Sequence, residues 1–400
     1  MASNALRDTI TRALTQVLGR MPIGWLQLTH SRMRMIVAVA GVVFANILVF
    51  VQLGILGALN GTIEQSYELL RADIIIASDD AHTLADGSPV ARRYLYQALS
   101  VPGVAAASPH YLGKLDWARP DRSSATLYVY GLPVDVSDFA GPMIAPHLPR
   151  LSLADRALID RHMRGGDRDA FGAIRAEDPM LIEARGHQLT LVGSFALGGG
   201  FTADGALFVS DQTFLRLFPQ RLAGTPSQIL IKVEEGYSPA QVVADLQRVL
   251  DAEPVQVKTW SQFIRADRSY QTTQRPVGIV FGFGVFIGVL VGIVIVYQVL
   301  STDVADHIKE YATFKAMGYP QGFFLSVVFE EAMILAVLGF IPGSIIATLI
   351  YKGLSSVSGL PVAMDAGRIG LVFIGTLVAC SISGAIATRR LTAADPAELF

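Results

Sequence analysis

Apolar positions in this chain are gathered into four runs: Met35 to Leu59, Val277 to Val299, Leu325 to Leu349 and Ile369 to Ile386. A helix needs about 20 apolar residues to cross a hydrocarbon core roughly 30 Å thick, and about 17 suffice, so each run predicts a membrane span. Between the first two spans the pattern changes to short strands and amphipathic helices. Ala72–Ala77 reads as a buried strand, the stretch around Arg92–Leu99 as a helix, and a second strand follows Pro102-Gly103. Near the end of the same segment, Gln228–Val233 reads as strand, Pro239–Leu250 as helix and Val255–Lys258 as strand. Strand, helix, strand thus occurs twice, predicting two halves that pair into one α+β layer. An insert over about 133–226 lies between them, with strands at Gln188–Phe195 and Ala206–Val209.

The polar interlude after the second span places Val304, Ile308, Tyr311 and Phe314 at spacings of four and three with charges between, the pattern of a short amphipathic helix ended by Gly318 and Pro320. The fold class expected is therefore four transmembrane α-helices per protomer, with a large α+β domain inserted between helices 1 and 2. The expected organisation is an amphipathic N-terminal segment (1–34), span 1 (35–59), the inserted domain (60–275), span 2 (277–299), a helical loop (301–323), span 3 (325–349), a loop (350–368), span 4 (369–386) and a tail (387–400). The first run is too long for the core of a signal peptide and is read as a retained span. Trp25 stands where an interfacial anchor belongs.

Composition agrees with this pattern. The 400 residues are 52% hydrophobic and 16% charged, with mean hydropathy +0.44. Soluble domains carry about 25% charged residues. Five arginines before the first span, Lys309 and Lys315 in the 301–323 loop and Arg389 and Arg390 in the tail fall on one side, which the positive-inside rule makes the cytoplasm. The only cysteine, Cys380, lies in the fourth run, so an intrachain disulfide is excluded.

Motifs of soluble catalysis are missing from the sequence. No G-x-x-x-x-G-K-[ST] run exists to cradle a triphosphate, so ATP, if used, is bound by another subunit. Gly193-Ser194 lacks the second flanking glycine of a nucleophile elbow, and the seven histidines show no paired ligand spacing, so neither catalytic nor metal-binding residues are assigned. Gly198–Gly200 reads as a plain flexible turn. Gly284, Gly288 and Gly292 recur every four residues in span 2, as do Gly339 and Gly343 in span 3, and small residues on one face predict close helix packing. Glu330 and Glu331 lie just inside span 3, where they either snorkel or cap near the interface, or take part in proton coupling.

The run Lys309–Gly318, with Glu331-Ala332 and Gly339–Gly343 beyond it and Asp395-Pro396-Ala397-Glu398-Leu399 at the end, resembles the FtsX-like permease domain of MacB and LolC type ABC transporters. Pro22–Leu28, Leu95–Val104, Val296–His307, Glu310–Tyr319 and Leu338–Gly343 are similar to the DevC subgroup. That resemblance implies a homodimeric exporter permease in the bacterial inner membrane, both termini cytoplasmic and the inserted domain periplasmic. It implies no enzymatic activity in this chain, since ATP and Mg²⁺ would be bound by a separate ABC ATP-binding subunit. A periplasmic membrane-fusion protein and a TolC-type outer-membrane channel are the further partners implied, with glycolipid or another amphiphile as cargo. The 304–317 helix is expected to be the coupling helix, with Val304, Ile308 and Tyr311 in an apolar groove of the ATPase and Glu310 and Lys315 in polar contact. A signalling module that regulates a periplasmic hydrolase is the alternative; lipoprotein release is a third.

Overall fold

A computed structural model describes residues 11–12, 15–16, 21–119, 123–251, 253–308, 313 and 317–393. Contacts divide them into two units. One contains the chain up to Ile55 together with Val280–Gly353 and the chain from Ala363 onward, and the other contains Leu56–Ile279 and Leu354–Val362.

The first unit is helical. Short α1 (Ile23–His30) precedes α2 (Arg32–Glu68), and α8 (Pro276–Asp306), α9 (Gln321–Ser358) and α10 (Ala366–Ala393) complete it. Four of these helices are long and apolar enough to cross a membrane. Their interior is a stripe including Val42, Val296, Leu300, Val328, Ala332 and Leu335, while large apolar residues such as Phe283, Phe286, Ile345, Leu349 and Ile374 face outward. Outward apolar faces on helices of this length are what a lipid solvent requires.

All four helices outrun the apolar runs that announce them. The first continues through Asn60 to Glu68 and the second through Ser301 to Asp306, because no proline interrupts the polar turns that follow and the lone Gly61 is tolerated there. Helix α9 runs to Ser358, so the loop expected over 350–368 shrinks to the seven residues before α10. Gly359 ends α9 in the left-handed region (φ +68°), and its N–H donates to Ser355 O at 3.0 Å.

The second unit is built on a nine-stranded mixed sheet in the order β5-β6-β4-β7-β3-β2-β8-β1-β9. Strand β1 (Ile74–Ser78), helix α3 (Arg93–Leu99) and β2 (Val104–Ala118) form the first half; β8 (Gln228–Val233), α6 (Pro239–Val249) and β9 (Val255–Thr259) form the second. The halves interlock: β8 lies between β1 and β2, antiparallel to both, and β1 lies between β8 and β9. That is the split β-α-β arrangement of a ferredoxin-like layer. Strand β1 is buried on both faces, with Ile74 and Ile76 against α3 and α6 and with Ile75 and Ala77 in the core on the other side.

The insert begins earlier than the 133–226 expected. Strand β2 runs 15 residues, and its far half pairs with β3 (Ser124–Leu132), which opens the insert sheet. Strands β4 (Arg156–Asp160), β5 (Met180–Ala184), β6 (His187–Phe195) and β7 (Gly205–Ser210) extend it, with short helices α4 (Arg168–Ala173) and α5 (Asp211–Leu217). Asp167 and Ser210 cap those helices by accepting backbone N–H bonds. Helix α7 (Trp260–Thr273) starts with a reciprocal Thr259/Gln262 capping box and leads toward the start of α8.

Candidate coupling site

The end of α8 carries a polar face beside an apolar one. Val296, Leu300 and Val304 recur every four residues and are buried in the helical core, which puts Asp303, Asp306 and His307 together on a neighbouring face. Arg34, at the start of α2, reaches both acids there: Nη1 lies 3.4 Å from Asp303 Oδ1 and Nη2 lies 2.8 Å from Asp306 Oδ2. His307 Nδ1 sits 3.0 Å from the Asp303 carbonyl and 3.7 Å from its Oδ2. Asp303 is only 3% exposed, so the ion pair is shielded on its acidic side.

Helix α9 brings two more carboxylates to this end. Glu330 Oε1 accepts from the Trp25 backbone N–H at 3.3 Å. Glu331 is fully buried, and neither of its carboxylate oxygens has a hydrogen-bond partner among the described residues. The expectation that these acids snorkel toward an interface is corrected by their burial, since both are enclosed by protein. Trp25 is also corrected: it is 5% exposed and packed into the unit instead of standing out as an anchor. Helix α1 approaches α9 closely because Gly24 has no side chain. A Cβ there would lie 2.8 Å from Glu331 Cγ and 2.9 Å from Val327 O.

Of the residues expected to grip an ATPase, Val304 is placed differently. It continues α8 and is 1% exposed, held among the bundle's own apolar residues, so its side chain is not offered outward. The separate helix expected from Val304 therefore starts, up to Asp306, as the last turns of α8. Ile308 is half-buried. Glu310, Tyr311 and Lys315 lie outside the described residues. Gly318 has φ +93°.

The five span glycines predicted to pack closely all meet α2. A Cβ on Gly284 would come 2.5 Å from Gln52 Cδ, on Gly288 2.8 Å from Leu48 Cδ2, and on Gly292 3.2 Å from Ala45 Cβ. From α9, Gly339 faces Val42 at 2.5 Å and Gly343 faces Asn46 at 3.1 Å. Helix α2 is thus packed against α8 on one side and α9 on another through backbone-close contacts.

In the sheet unit, the turns of α2 beyond Leu56 are clamped to α7. Tyr67 Oη donates to Asp267 Oδ2 at 2.6 Å, and the same oxygen accepts from Leu84 N at 3.1 Å. Gln271 Nε2 donates to Asp267 Oδ1 at 3.2 Å, and Arg268 pairs with Glu64 at 2.9 Å. The Tyr67 ring meets Trp260 and Phe263 edge-on. Burial pushes the Asp267 carboxyl above its ordinary range, and the bonds from Tyr67, Leu84 and Gln271 oppose that shift. Sequence reading missed this clamp and Arg34–Asp303, since each joins residues some 200 or more positions apart.

The glycine turn at 198–200 is neither free nor an open anion nest. Asp160 fills it, accepting from Leu197 N at 2.9 Å and Gly198 N at 2.8 Å, and from His162 N at 2.9 Å.

Residues 282–396, which span most of α8, the loop, α9 and α10, match the family described as FtsX-like permease C-terminal. This segment is an FtsX-like permease domain. No curated protein matches the chain by sequence. Among solved structures, the extracellular domain of the noncanonic ABC-type transporter YknZ from Gram-positive bacteria aligns with 47% of this chain and 98% of its own, at 12% identity and TM-score 0.33. The periplasmic region of MacB from Actinobacillus actinomycetemcomitans aligns with 51% of this chain and 96% of its own, at 10% identity and TM-score 0.33. A domain of a permease protein from Porphyromonas gingivalis aligns with 48% of this chain and 88% of its own, at 16% identity and TM-score 0.29. The FtsX-like permease domain contains Asp303, Glu330 and Glu331 but not Arg34, which reaches it from α2.

Proposed function

We propose that this protein is the permease subunit of an ABC exporter in the bacterial inner membrane, with both termini cytoplasmic and the sheet unit periplasmic. A separate ATP-binding subunit holds ATP and Mg²⁺ and engages the loop between α8 and α9 through Ile308, Glu310, Tyr311 and Lys315. Closure of two such subunits on a permease homodimer displaces the end of α8. Arg34, paired with Asp303 and Asp306, passes that displacement to α2. The reading is supported by one observation: the permease segment holds Arg34 of α2 through Asp303 and Asp306 at the end of α8.

Cargo, a glycolipid or another amphiphile, then leaves through a membrane-fusion protein and a TolC-type channel docked on the periplasmic unit. Work is delivered to the periplasmic unit and cargo does not pass along the four-helix bundle.

Co-purification tests the coupling step. Charge reversal at Glu310 and Lys315 together should remove the ATP-binding subunit from the tagged permease while leaving the permease folded. Full retention of that subunit by the double variant refutes the assignment. Capture of a periplasmic hydrolase in place of a fusion protein would turn the reading to signalling.

A further inference from the structure

A groove of about 280 Å³ lies wholly within the sheet unit. The turns of α2 from Leu59 to Tyr67 form one wall, strands β2 and β3 a second and the glycine turn at 198–200 a third, and the end of α7 and the start of α8 border it. Leu59 ends the first apolar run and Val277 begins the second, so the groove reaches the level at which the chain leaves and re-enters the hydrocarbon core. Lipid headgroups begin at that level.

Four charged side chains line the groove, Asp86, Lys114, Asp267 and Arg275, and three of them are answered. Asp86 pairs with Arg275, and Asp267 accepts from Tyr67 Oη, Leu84 N and Gln271 Nε2. Lys114 is different. It is exposed, its Nζ stands 5.1 Å over the ring of Tyr128, and no carboxylate pairs with it among the described residues. Tyr128 Oη is bonded in turn to Thr202 Oγ1 at 3.0 Å, so the ammonium rests on a fixed wall of the groove.

Beside that cation the walls are apolar, with Ile63, Leu112, Leu197 and Phe201 among them. A soluble anion would meet Lys114 and leave these walls to water. A neutral amphiphile would cover the walls but take water from an ammonium that has no counter-charge. An amphiphile with an anionic head answers both, because a charge-assisted hydrogen bond replaces the water lost.

We propose that this groove binds an anionic amphiphile from the adjoining leaflet, with Lys114 as the partner of its head and Leu59, Ile63 and Val277 beside its chain. Gly200 faces α2 across the groove: a Cβ there would lie 3.7 Å from Thr62 Cβ, an ordinary contact, so a larger side chain at 200 fills the space without a clash at its first atom. That the bound molecule is cargo rests on the export reading. Binding itself needs neither ATP nor the partner subunits, so its failure leaves that reading standing.

Purified full-length protein in phosphatidylcholine nanodiscs, without ATP, is titrated with tritiated dodecyl phosphate and with tritiated dodecyl glucoside, and protein-free nanodiscs supply the background. The wild type should bind the phosphate amphiphile about 10-fold more tightly, equivalent to about 1.4 kcal/mol, and inorganic phosphate at the same concentration should not displace it. Lys114→Gln should bring dodecyl phosphate down to the dodecyl glucoside level while leaving dodecyl glucoside as it was. Gly200→Leu, which fills the groove and keeps the lysine, should weaken both at least ~10-fold. An unchanged thermal unfolding midpoint for each variant establishes folding. Equal affinity of the wild type for the two amphiphiles overturns the proposal, as does dodecyl phosphate binding undiminished by Lys114→Gln or by Gly200→Leu. Displacement by inorganic phosphate would make the groove a soluble-anion site and overturns it too.

Discussion

The Tyr67 hydroxyl donates to Asp267 Oδ2 across 2.6 Å, joining residues 200 positions apart in the chain. Asp267 is 2% exposed, and no cation is paired with it among the described residues, so its carboxylate is held by donors alone: a hydroxyl, a backbone N–H and an amide. Tyr67→Phe keeps the ring against Trp260 and removes one of the three. It should cost about 1–3 kcal/mol, the penalty of a buried acceptor losing a partner. Asp267→Ala should cost at least as much, and the double variant less than the sum because the two act on one bond. Denaturant unfolding of the sheet unit within the full chain measures all three. Strict additivity would refute direct coupling.

His110 provides the pH dependence. Gln228 Nε2 donates to Leu84 O at 2.7 Å, which turns Gln228 Oε1 toward His110 and assigns the ring proton to Nδ1, 2.9 Å away. Burial pushes the imidazole down from its ordinary 6.5 to about 4, against the Gln228 bond, which favours the charged form. The unfolded chain therefore binds the proton more readily than the folded one between pH 6.5 and 4. Stability is intact above that window and falls as pH drops through it, by about 3 kcal/mol in full. His110→Asn should flatten that part of the profile. Identical pH profiles for the two proteins from 7 to 4 would remove His110 from the account.

The membrane spans and the interlocked halves of the sheet were legible because hydrophobic period and run length carry them. Ile74–Ala77 and Ile229–Val233 read as strands for that reason, and both are strands. Helix ends were not legible in the same way. Apolar run length marks where lipid begins, whereas hydrogen bonding continues a helix through polar turns such as Asn60–Glu68 or Ser301–Asp306. The early start of the insert sheet was hidden because Leu112–Ala118 and Ser124–Leu132 are half of one hairpin each, with alternating polar residues that resemble a loop until they are paired. The Arg34–Asp303 pair and the Asn46–Thr376 pair depend on which helix faces come together, and no local spacing encodes that.

Packing of α2 against its neighbours makes the glycine seams sensitive to size. A Cβ at Gly288 would meet Leu48 Cδ2 at 2.8 Å and Val49 Cγ2 at 3.0 Å, both ends of movable side chains. Gly288→Ala should therefore cost about 1 kcal/mol, and Gly288→Leu about 3 kcal/mol or more, since overpacking forces the helices apart. Gly282, on the same helix, meets nothing within 4 Å and is the control, so Gly282→Ala should be close to neutral or slightly stabilising. Thermal unfolding in detergent ranks the three variants. A ranking in which Gly282→Ala is worst would place the seam elsewhere.

The pair of Arg34 with Asp303 separates force transmission from partner binding. Asp303 is enclosed while Arg34 is 41% exposed, so removing the arginine leaves a shielded carboxylate without its cation, and removing the acid leaves a cation that water can solvate. Arg34→Ala should therefore destabilise more than Asp303→Asn, by about 2 kcal/mol against about 1 kcal/mol. Asp306 provides Arg34 with a second, more exposed acid at 2.8 Å, so Asp306→Asn alone should be nearly silent in stability. If displacement of α8 reaches α2 through this pair, Arg34→Ala should leave co-purification of the ATP-binding subunit intact yet reduce ATP-driven export by about 10-fold, the equivalent of about 1.4 kcal/mol. Arg34→Lys, which retains charge but loses the two-pronged grip, should fall between. Export at the wild-type rate by Arg34→Ala, with the variant folded and its partner bound, would mean that α2 is driven from some other contact.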